Sequence, residues 1–289
     1  MPTTKTLELA YNNYYTHNEP NQSSLIRRAY NRCKIGYLVA RFGYPKILAN
    51  PLEKIAGYLI AILPHRRAAL DASILWLPWV SNGKVLEIGC GNGNRLALLK
   101  NLGWQTLGVE SDPISAQIAR AQDLQIINKP FGGNLVHEES MDAILLSHVI
   151  EHLSDPVATV KECLRILKPG GKLIILTPNT QSFGHQQFGR NWLHLDPPRH
   201  LNLFNSSNIS KILKNTGFEK STCLTTLRDA NWTLGGSLAL KKRNAYQIGN
   251  LPFAEKLTGL MVLYSEWIIM KMSPSQGEDL LCVAHKHHK

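Results

Sequence analysis

The stretch Lys84-Val-Leu-Glu-Ile-Gly-Cys-Gly-Asn-Gly93 decides the fold of this chain of 289 residues. It begins as a short apolar run, which is typical of a buried strand, and it ends with glycines at alternate positions. Glycine lets the backbone turn sharply and approach a ligand closely, and a following helix offers free N–H groups. The stretch therefore predicts a strand, a ligand-binding turn and a helix.

The glycine spacing differs from that of dinucleotide-binding proteins. Their third glycine comes three residues after the second, but position 94 is an asparagine here, which disfavours NAD and FAD. Glu110 ends the second predicted strand, where a carboxylate can accept hydrogen bonds from both hydroxyls of a ribose. A tight turn followed by an exposed acid, with no ligand, is the alternative interpretation.

Short apolar runs alternate with amphipathic stretches from residue 84 onward, as they do in βαβ units. This pattern predicts a doubly wound, Rossmann-like α/β fold with a mostly parallel seven-stranded sheet and helices on both faces. We expect an N-terminal helical, basic segment at 1–80 and the α/β domain at 81–289, with an inserted helical segment at about 232–275. The strands are predicted at 85–88, 106–110, 125–127, 143–146, 172–177, 219–226 and 279–284.

The chain is basic, with 32 Lys and Arg against 21 Asp and Glu. The helix predicted at 23–42 concentrates this charge on one face, and such a face could lie on an acidic membrane surface. A solvated helix face is the alternative. The longest apolar runs are shorter than the roughly 20 residues that span a bilayer, so we expect a cytoplasmic protein that is not integral to a membrane.

The chain has 5 cysteines, which are far apart and include no Cys-x-x-Cys pair. An odd number of widely spaced cysteines indicates neither a disulfide framework nor a thiolate metal site. We therefore expect free thiols in a reducing compartment.

Several motifs appear in a fixed order along residues 84–226: the glycine stretch, Gly108-Val-Glu110, Ser147-His-Val-Ile-Glu-His-Leu153, Leu167-Lys-Pro-Gly-Gly171 and Thr177-Pro-Asn179. They resemble the successive motifs of class I S-adenosylmethionine-dependent methyltransferases, in the type 11 and type 23 branch that includes ubiquinone-biosynthesis O-methyltransferases. The resemblance implies S-adenosylmethionine as the cofactor and residues 81–289 as the methyltransferase domain. It also implies a cofactor site made by Glu87, Gly89, Cys90, Gly91, Gly93, Glu110, Ser147 and His148.

Methyl transfer to a hydroxyl needs alignment of the acceptor and a nearby base. Histidine is the natural base because its ordinary pKa lies near neutrality, and we predict His152, then His200 and His194, as catalytic residues. The loop at 181–205 is rich in aromatic and ionisable residues and predicts an acceptor pocket that includes Trp192 and Arg199. A rigid proline turn in which Arg199 pairs with a structural acid is the alternative.

Two further hypotheses concern the N-terminus and a metal. Tyr14 and Tyr15 resemble an N-terminal segment that closes over the site in relatives, although packing on the domain surface is nearly as good an explanation. The run His148-Val-Ile-Glu151-His152 matches a zinc-peptidase pattern, but it follows a strand of a nucleotide-binding sheet, which is the wrong context. In the quinone O-methyltransferases the corresponding element can bind a divalent metal, with a Glu where this chain has His148. The resemblance therefore leaves an altered site at His148, Glu151 and His152 as an alternative, but we expect no metal.

The sequence thus predicts methyl transfer to a small-molecule acceptor, at a hydroxyl of a quinone-like, glycan or natural-product compound. A protein that binds S-adenosylmethionine without turnover, as a regulator or scaffold, is the first alternative. A nucleic-acid methyltransferase is disfavoured because the fourth strand ends in Leu-Leu-Ser-His and not in an Asn-Pro-Pro-Tyr element. We therefore expect no nucleic-acid partner.

Overall fold

The structure is a computed structural model, and it describes residues 24–228, 230–243 and 253–288. Tyr14 and Tyr15 lie outside the described residues. One sheet contains seven strands in the order β3-β2-β1-β4-β5-β7-β6. In chain order the strands are β1 (Lys84–Ile88), β2 (Gln105–Val109), β3 (Gln125–Ile127), β4 (Met141–Ser147), β5 (Leu167–Pro178), β6 (Lys220–Thr226) and β7 (Asp279–His285).

The helices alternate with the strands as predicted. Three of the described helices precede β1, and two more lie between β6 and β7. Their bounds are α1 (Leu25–Phe42), α2 (Pro51–Ile60), α3 (Pro64–Ala72), α4 (Asn94–Asn101), α5 (Pro113–Arg120), α6 (Pro156–Ile166), α7 (Phe183–Phe188), α8 (Ser206–Thr216), α9 (Ala230–Arg243) and α10 (Phe253–Met272). Among these described helices, none is both long enough and apolar enough to cross a membrane.

The first strand is the organising element of the sheet. Its last four residues are buried, and it pairs in parallel with β2 on one side and β4 on the other. Glu87 stands opposite Gly108 of β2 and Leu145 of β4. Parallel pairing aligns the carboxyl ends of these strands, so the loops that follow them emerge at the same edge of the sheet. The predicted Rossmann-like, mostly parallel sheet is confirmed.

Helices α1 and α2 pack unusually closely. A Cβ atom at Gly36 would lie 2.3 Å from the backbone of Glu53, and one at Gly57 would lie 2.3 Å from the carbonyl oxygen of Cys33. Glycine at both positions therefore permits a backbone approach that any side chain would prevent. Helix α2 begins with a capping box between Asn50 and Glu53, which satisfies two of its free N–H groups.

Two expectations differ from the structure. Strand β5 begins at Leu167, five residues before the predicted start, and thus includes Lys168-Pro-Gly-Gly171, in which Gly170 has a φ of 74°. The expectation of free thiols throughout is wrong, because Cys223 and Cys282 form a disulfide. They are 59 residues apart in sequence but stand on the neighbouring strands β6 and β7. Cys33, Cys90 and Cys163 are free.

The chain divides into two compact units. The turn unit comprises the described residues of Thr16–Leu146, Lys161–Ile174 and His285–Lys289, and it contains the glycine turn and Glu110. The histidine unit comprises Ser147–Val160 and the described residues of Ile175–Ala284, and it contains all three predicted catalytic histidines.

Candidate active site

The glycine turn of the turn unit has the backbone shape that its sequence requires. Gly89, Gly91 and Gly93 have φ values of 66°, 54° and 78°, all in the left-handed region. A Cβ atom at Gly93 would also lie 2.5 Å from Cδ1 of Leu124 and 2.9 Å from Cβ of Ala119. Conformation and packing therefore both demand glycine at position 93, where α4 begins.

Glu110 ties the glycine turn to the end of β2. Its Oε2 accepts a hydrogen bond from the Gly91 N–H at 2.7 Å, and its Oε1 accepts one from the Asp112 N–H at 2.9 Å. A carboxylate has about four acceptor sites, so these two bonds leave capacity for the hydroxyls of a ligand. Glu110 therefore stabilises the glycine turn and is also a candidate contact for the ribose.

Glu87, at position four of β1, is a buried carboxylate with one unsatisfied oxygen. Its Oε1 accepts a hydrogen bond from Nη1 of Arg95, and its Oε2 has no hydrogen-bond partner among the described residues. Burial raises the pKa of Glu87, and the Arg95 charge opposes that rise. An orphaned acceptor beside the glycine turn suits an ammonium donor, so these residues fit the methionine part of S-adenosylmethionine.

Two other residues near the turn have structural contacts. Cys90 is buried in a cluster with Leu96, Ala119 and Leu124, and burial raises the pKa of its thiol, which keeps it neutral. The Asn128 side-chain amide donates to the carbonyl oxygens of Glu110 at 2.8 Å and Ser111 at 3.2 Å. Asn128 therefore links the chain that follows β3 to the chain that follows β2.

In the histidine unit, His148 lies between two buried carboxylates. Its Nδ1 is 3.4 Å from Oε1 of Glu151, and its Nε2 is 3.7 Å from Oδ2 of Asp279. Burial alone would lower the pKa of His148, but Asp279 and Glu151 outweigh burial and raise it. His148 also has a φ of 54°, a strained conformation for a residue that is not glycine. The site thus favours the imidazolium form of His148 and holds the residue in a constrained position.

Glu151 is the anionic centre of this cluster. It is only 1% exposed, and its Oε2 accepts a hydrogen bond from Oγ1 of Thr177 at 3.0 Å. Burial favours the neutral acid, but the hydrogen bond and charge of His148 outweigh it and lower the pKa of Glu151 to about 2. Glu151 therefore stays ionised at neutral pH.

His194 has the opposite protonation preference from His148. Its ring stacks on His148 with centroids 6.0 Å apart, and its Nε2 lies 3.8 Å from Oδ1 of Asp279 and 3.0 Å from Oγ1 of Thr233. Burial, together with the charges of His148 and His200, lowers the pKa of His194 well below its ordinary value. Asp279 thus lies near two histidines whose pKa values are shifted in opposite directions.

His152 and His200 form a second pair, with centroids 4.7 Å apart and the rings edge to face. The Nδ1 of His152 lies 3.0 Å from the carbonyl oxygen of Arg199, and the Nδ1 of His200 lies 2.6 Å from that of His194. Since a carbonyl oxygen only accepts, the Nδ1 atom of each ring carries a proton that it donates to that oxygen. Burial lowers the pKa of His152.

One group of side chains in the described part of the chain could hold a metal ion. Ligand atoms of Glu151, His152 and His200 all lie within 4.8 Å of one another, and backbone carbonyls orient both histidines as they orient ligating histidines in metalloproteins. The structure therefore groups His200 with Glu151 and His152 as possible ligands, while His148 contacts Glu151 but does not belong to that group. A divalent ion there would supply a positive charge that polarises an oxygen. That no metal is needed remains a prediction.

The predicted acceptor residues Trp192 and Arg199 are both engaged within the protein. Trp192 is 1% exposed, its Nε1 donates to Oε2 of Glu278 at 2.8 Å, and its ring packs against His194. Nη2 of Arg199 donates to Oδ1 of Asp196 at 2.6 Å, which is the pairing that the alternative interpretation requires. Both residues shape the loop that carries His194 and His200, and their contact with an acceptor remains a prediction.

Sequence reasoning did not assign a role to the acids that lie behind the histidines. Asp279 at the start of β7 and Glu278 before it are buried, as is Glu266 of α10. Burial and the neighbouring Glu278 raise the pKa of Glu266 to about 9, so this side chain is protonated at neutral pH. Two consecutive acids in front of an apolar strand were the available signal, because such a pair is rarely buried without a partner.

The sheet and the glycine turn tethered by Glu110 define a Rossmann-like protein with a site for a nucleoside-containing ligand. A family model described as a methyltransferase domain matches residues 62–222, which is more than half of the chain. The chain therefore belongs to the methyltransferase-domain family, among the S-adenosylmethionine-dependent methyltransferases that its motifs resemble.

Curated relatives agree with this assignment. The chain is 32% identical, over 47% of its length and 51% of the relative's, to a probable S-adenosylmethionine-dependent methyltransferase of Mycolicibacterium smegmatis. It is 34% identical, over 50% of its length and 59% of the relative's, to a ubiquinone biosynthesis O-methyltransferase of Idiomarina loihiensis. The chain thus spans about half the length of these relatives.

A solved structure supports the fold. A Thermotoga maritima S-adenosylmethionine-dependent methyltransferase, described as a possible histamine N-methyltransferase, superposes with a TM-score of 0.52 at 22% identity. The match covers 80% of this chain and 95% of the other.

Proposed function

We propose that this protein transfers a methyl group from S-adenosylmethionine to a hydroxyl oxygen of a small molecule. The observation that carries the proposal is the pair of histidines beside Asp279, since the pKa of His148 is raised and that of His194 is lowered. Neighbouring groups whose pKa values are driven apart are typical of an acid and a base at one site. The relative from Idiomarina loihiensis that is named an O-methyltransferase supports oxygen as the acceptor atom.

The turn unit would hold the cofactor. Glu110 and the N–H groups of the glycine turn bind the nucleoside end, and the free Oε2 of Glu87 accepts from the ammonium group of the methionine end. When bound, S-adenosylmethionine supplies an electrophilic methyl group on a sulfonium centre. A hydroxyl attacks this methyl carbon well only as it loses its proton, and S-adenosylhomocysteine would be the leaving group as the carbon–sulfur bond breaks. The chain must therefore provide a base.

His194 is the residue we assign as that base. Its lowered pKa leaves it neutral at pH 7, and its side chain is 19% exposed, compared with 7% for His200. His194 removes the hydroxyl proton while the His148 imidazolium stabilises the developing negative charge on oxygen. Asp279 positions both rings. This assignment moves His194 ahead of His152, which the sequence had ranked first.

The pH dependence follows from these two pKa directions. The neutral form of His194 accumulates as pH rises through a pKa below 6.5, and the charged form of His148 is lost as pH rises through a pKa above 6.5. We therefore expect kcat/KM to rise and then fall with pH, on either side of that value. In His148→Gln the alkaline limb should disappear, and its persistence would remove His148 from the mechanism.

Substitution separates the base from residues that only support the fold. His194→Gln should lower turnover roughly a hundredfold, the scale of general-base catalysis, and leave cofactor affinity unchanged. The exposed His137→Gln is the matched control, and His152→Gln and His200→Gln test the earlier ranking. If all three cluster variants keep normal turnover on an identified acceptor, no histidine base is used, and the acceptor is an amine or a thiol.

A further inference from the structure

We infer that the outer face of α2 and the turns on either side of it form a docking surface for an anionic lipid bilayer. The docking surface consists of Ile47, Leu52, Ile55, Tyr58, Leu59, Ile62 and Leu63, with the basic residues Lys46, Lys54, Arg66 and Arg67 close to them in sequence. This interaction is separate from methyl transfer and concerns only the turn unit.

The apolar residues of the docking surface are exposed to an extent that needs an explanation. Ile47, Leu52 and Ile62 are 94%, 76% and 71% exposed, and Leu59 and Ile55 are 62% and 59% exposed. Leu52, Ile55 and Leu59 are three and four residues apart, so they share one face of the helix. A single exposed leucine is ordinary, but a continuous row of exposed aliphatic side chains marks an interaction site. We call the row formed by Leu52, Ile55 and Leu59 the stripe.

The stripe lies on the side of α2 opposite its packing partner within the protein. Glu53 and Gly57 face α1, where Gly36 and Gly57 allow close backbone contact, and Glu53 pairs with Arg32. Ile55, Tyr58, Leu59, Ala61, Ile62 and Arg67 together line an open groove of about 440 Å³. The same helix thus has a satisfied inner face and an aliphatic outer face with a cation at its edge.

The excess of basic residues around the stripe favours a negatively charged partner. Between residues 24 and 80 there are nine basic residues and two acids, Glu53 and Asp71. Both acids are engaged, because Glu53 pairs with Arg32, and Asp71 is buried against Tyr37 and Arg41. The field outside the stripe is therefore positive, which attracts an anionic membrane surface.

Residue chemistry favours a bilayer over a protein partner. Protein interfaces are enriched in aromatic residues and methionine and depleted of lysine, whereas this surface is mostly leucine and isoleucine beside lysine and arginine. A second copy of the chain would bring like charges together. Helix α2 has 10 residues and is about 15 Å long, so it would lie in the interface plane with its apolar side in the acyl boundary.

Vesicle cosedimentation tests the inference with the full chain. Phosphatidylcholine vesicles containing phosphatidylglycerol should bind the protein, binding should weaken with added salt, and pure phosphatidylcholine should bind it poorly. The double variant Leu59→Gln, Ile62→Gln should bind at least about tenfold more weakly. Removing a cation with Lys46→Gln or Arg66→Gln should cost about fivefold each.

Leu224→Gln is the matched control, because Leu224 is 60% exposed on β6 and outside the docking surface. Circular dichroism and cofactor binding should be unchanged in every variant, since none of these residues belongs to the cofactor or histidine machinery. The inference is overturned if the wild-type protein does not bind anionic vesicles, or if the double variant binds them with the affinity of the wild type. It is also overturned if sedimentation shows a dimer that the double variant dissociates, or if cross-linking places residues 1–23 over the stripe.

Discussion

At the scale of single residues, the charge on each histidine of the cluster is set by the carboxylates around it and by the depth of its burial. The nearby Asp279 and Glu151 carboxylates raise the pKa of His148, whereas burial and the charges of neighbouring histidines lower the pKa of His194. The same imidazole group therefore has opposite properties at neighbouring positions. This difference is the basis for the proposal that His194 acts as a base and His148 as a source of positive charge.

Glu110 is the residue whose loss should affect cofactor binding most directly. Glu110→Ala removes the proposed ribose acceptor and also the bond to the Gly91 N–H, so affinity for S-adenosylhomocysteine should fall by at least about 1.5 kcal/mol, roughly tenfold. Calorimetry measures this change. Glu110→Gln, which keeps one acceptor oxygen for Gly91, should lose less. The exposed acid Glu138, changed to Ala, is the control, and equal affinities in all variants would remove Glu110 from the site.

At the scale of elements, the turn between β1 and α4 combines backbone conformation and packing at one position. Gly93→Ala would place a methyl group against Leu124 and Ala119 and force a left-handed φ on alanine. Gly43, which follows α1, has a similar φ of 76° but nothing within 4 Å of its Cβ position. Comparing alanine substitutions at Gly43 and Gly93 therefore separates the cost of backbone strain from the cost of overpacking.

We expect Gly43→Ala to lower the free energy of unfolding by about 1 kcal/mol, from conformational strain alone. Gly93→Ala should lower it by about 2 to 4 kcal/mol, because overpacking adds to the same strain. Urea denaturation followed by circular dichroism measures both values. Equal losses in the two variants would show that the contacts around Gly93 relax without cost.

The elements themselves were largely predictable, and the contacts between distant elements were not. Apolar runs with a glycine turn located β1 and its neighbours, because local sequence controls strand and turn formation. Two features depend on which strands become neighbours: the Cys223–Cys282 disulfide and the approach of Asp279 to His148 and His194. A single sequence carries no local signal for such pairings, which join residues from separate parts of the chain.

The same contrast between local motifs and contacts over long sequence distances applies to the candidate site. The turn Gly89–Gly93 and Glu110 were identified from spacing, and the structure joins them by a hydrogen bond. The histidines were predicted as a set with His152 first, and the sequence could not show how burial and neighbouring charges shift the pKa of each ring. The grouping of His200 with Glu151 and His152 was likewise invisible, since it depends on the path of the loop after β5.

At the scale of the whole molecule, chelation tests whether the chemistry uses a metal. We expect EDTA to leave turnover unchanged, because methyl transfer needs no Lewis acid and Glu151 already has Thr177 and His148 as partners. Activity assayed after dialysis against EDTA, with Zn²⁺ or Mg²⁺ added back to a parallel sample, gives the comparison. Loss of activity that the metal restores would assign Glu151, His152 and His200 as its ligands.

The most direct test of the central claim is transfer of a labelled methyl group. Purified protein is incubated with methyl-labelled S-adenosylmethionine and an extract of the cells that make it, and the labelled product is identified by mass and fragmentation. We predict label on an oxygen of a small molecule, with the signal lost in His194→Gln and kept in His137→Gln. Label confined to nucleic acid or protein, or no label despite measurable cofactor binding, would contradict the account.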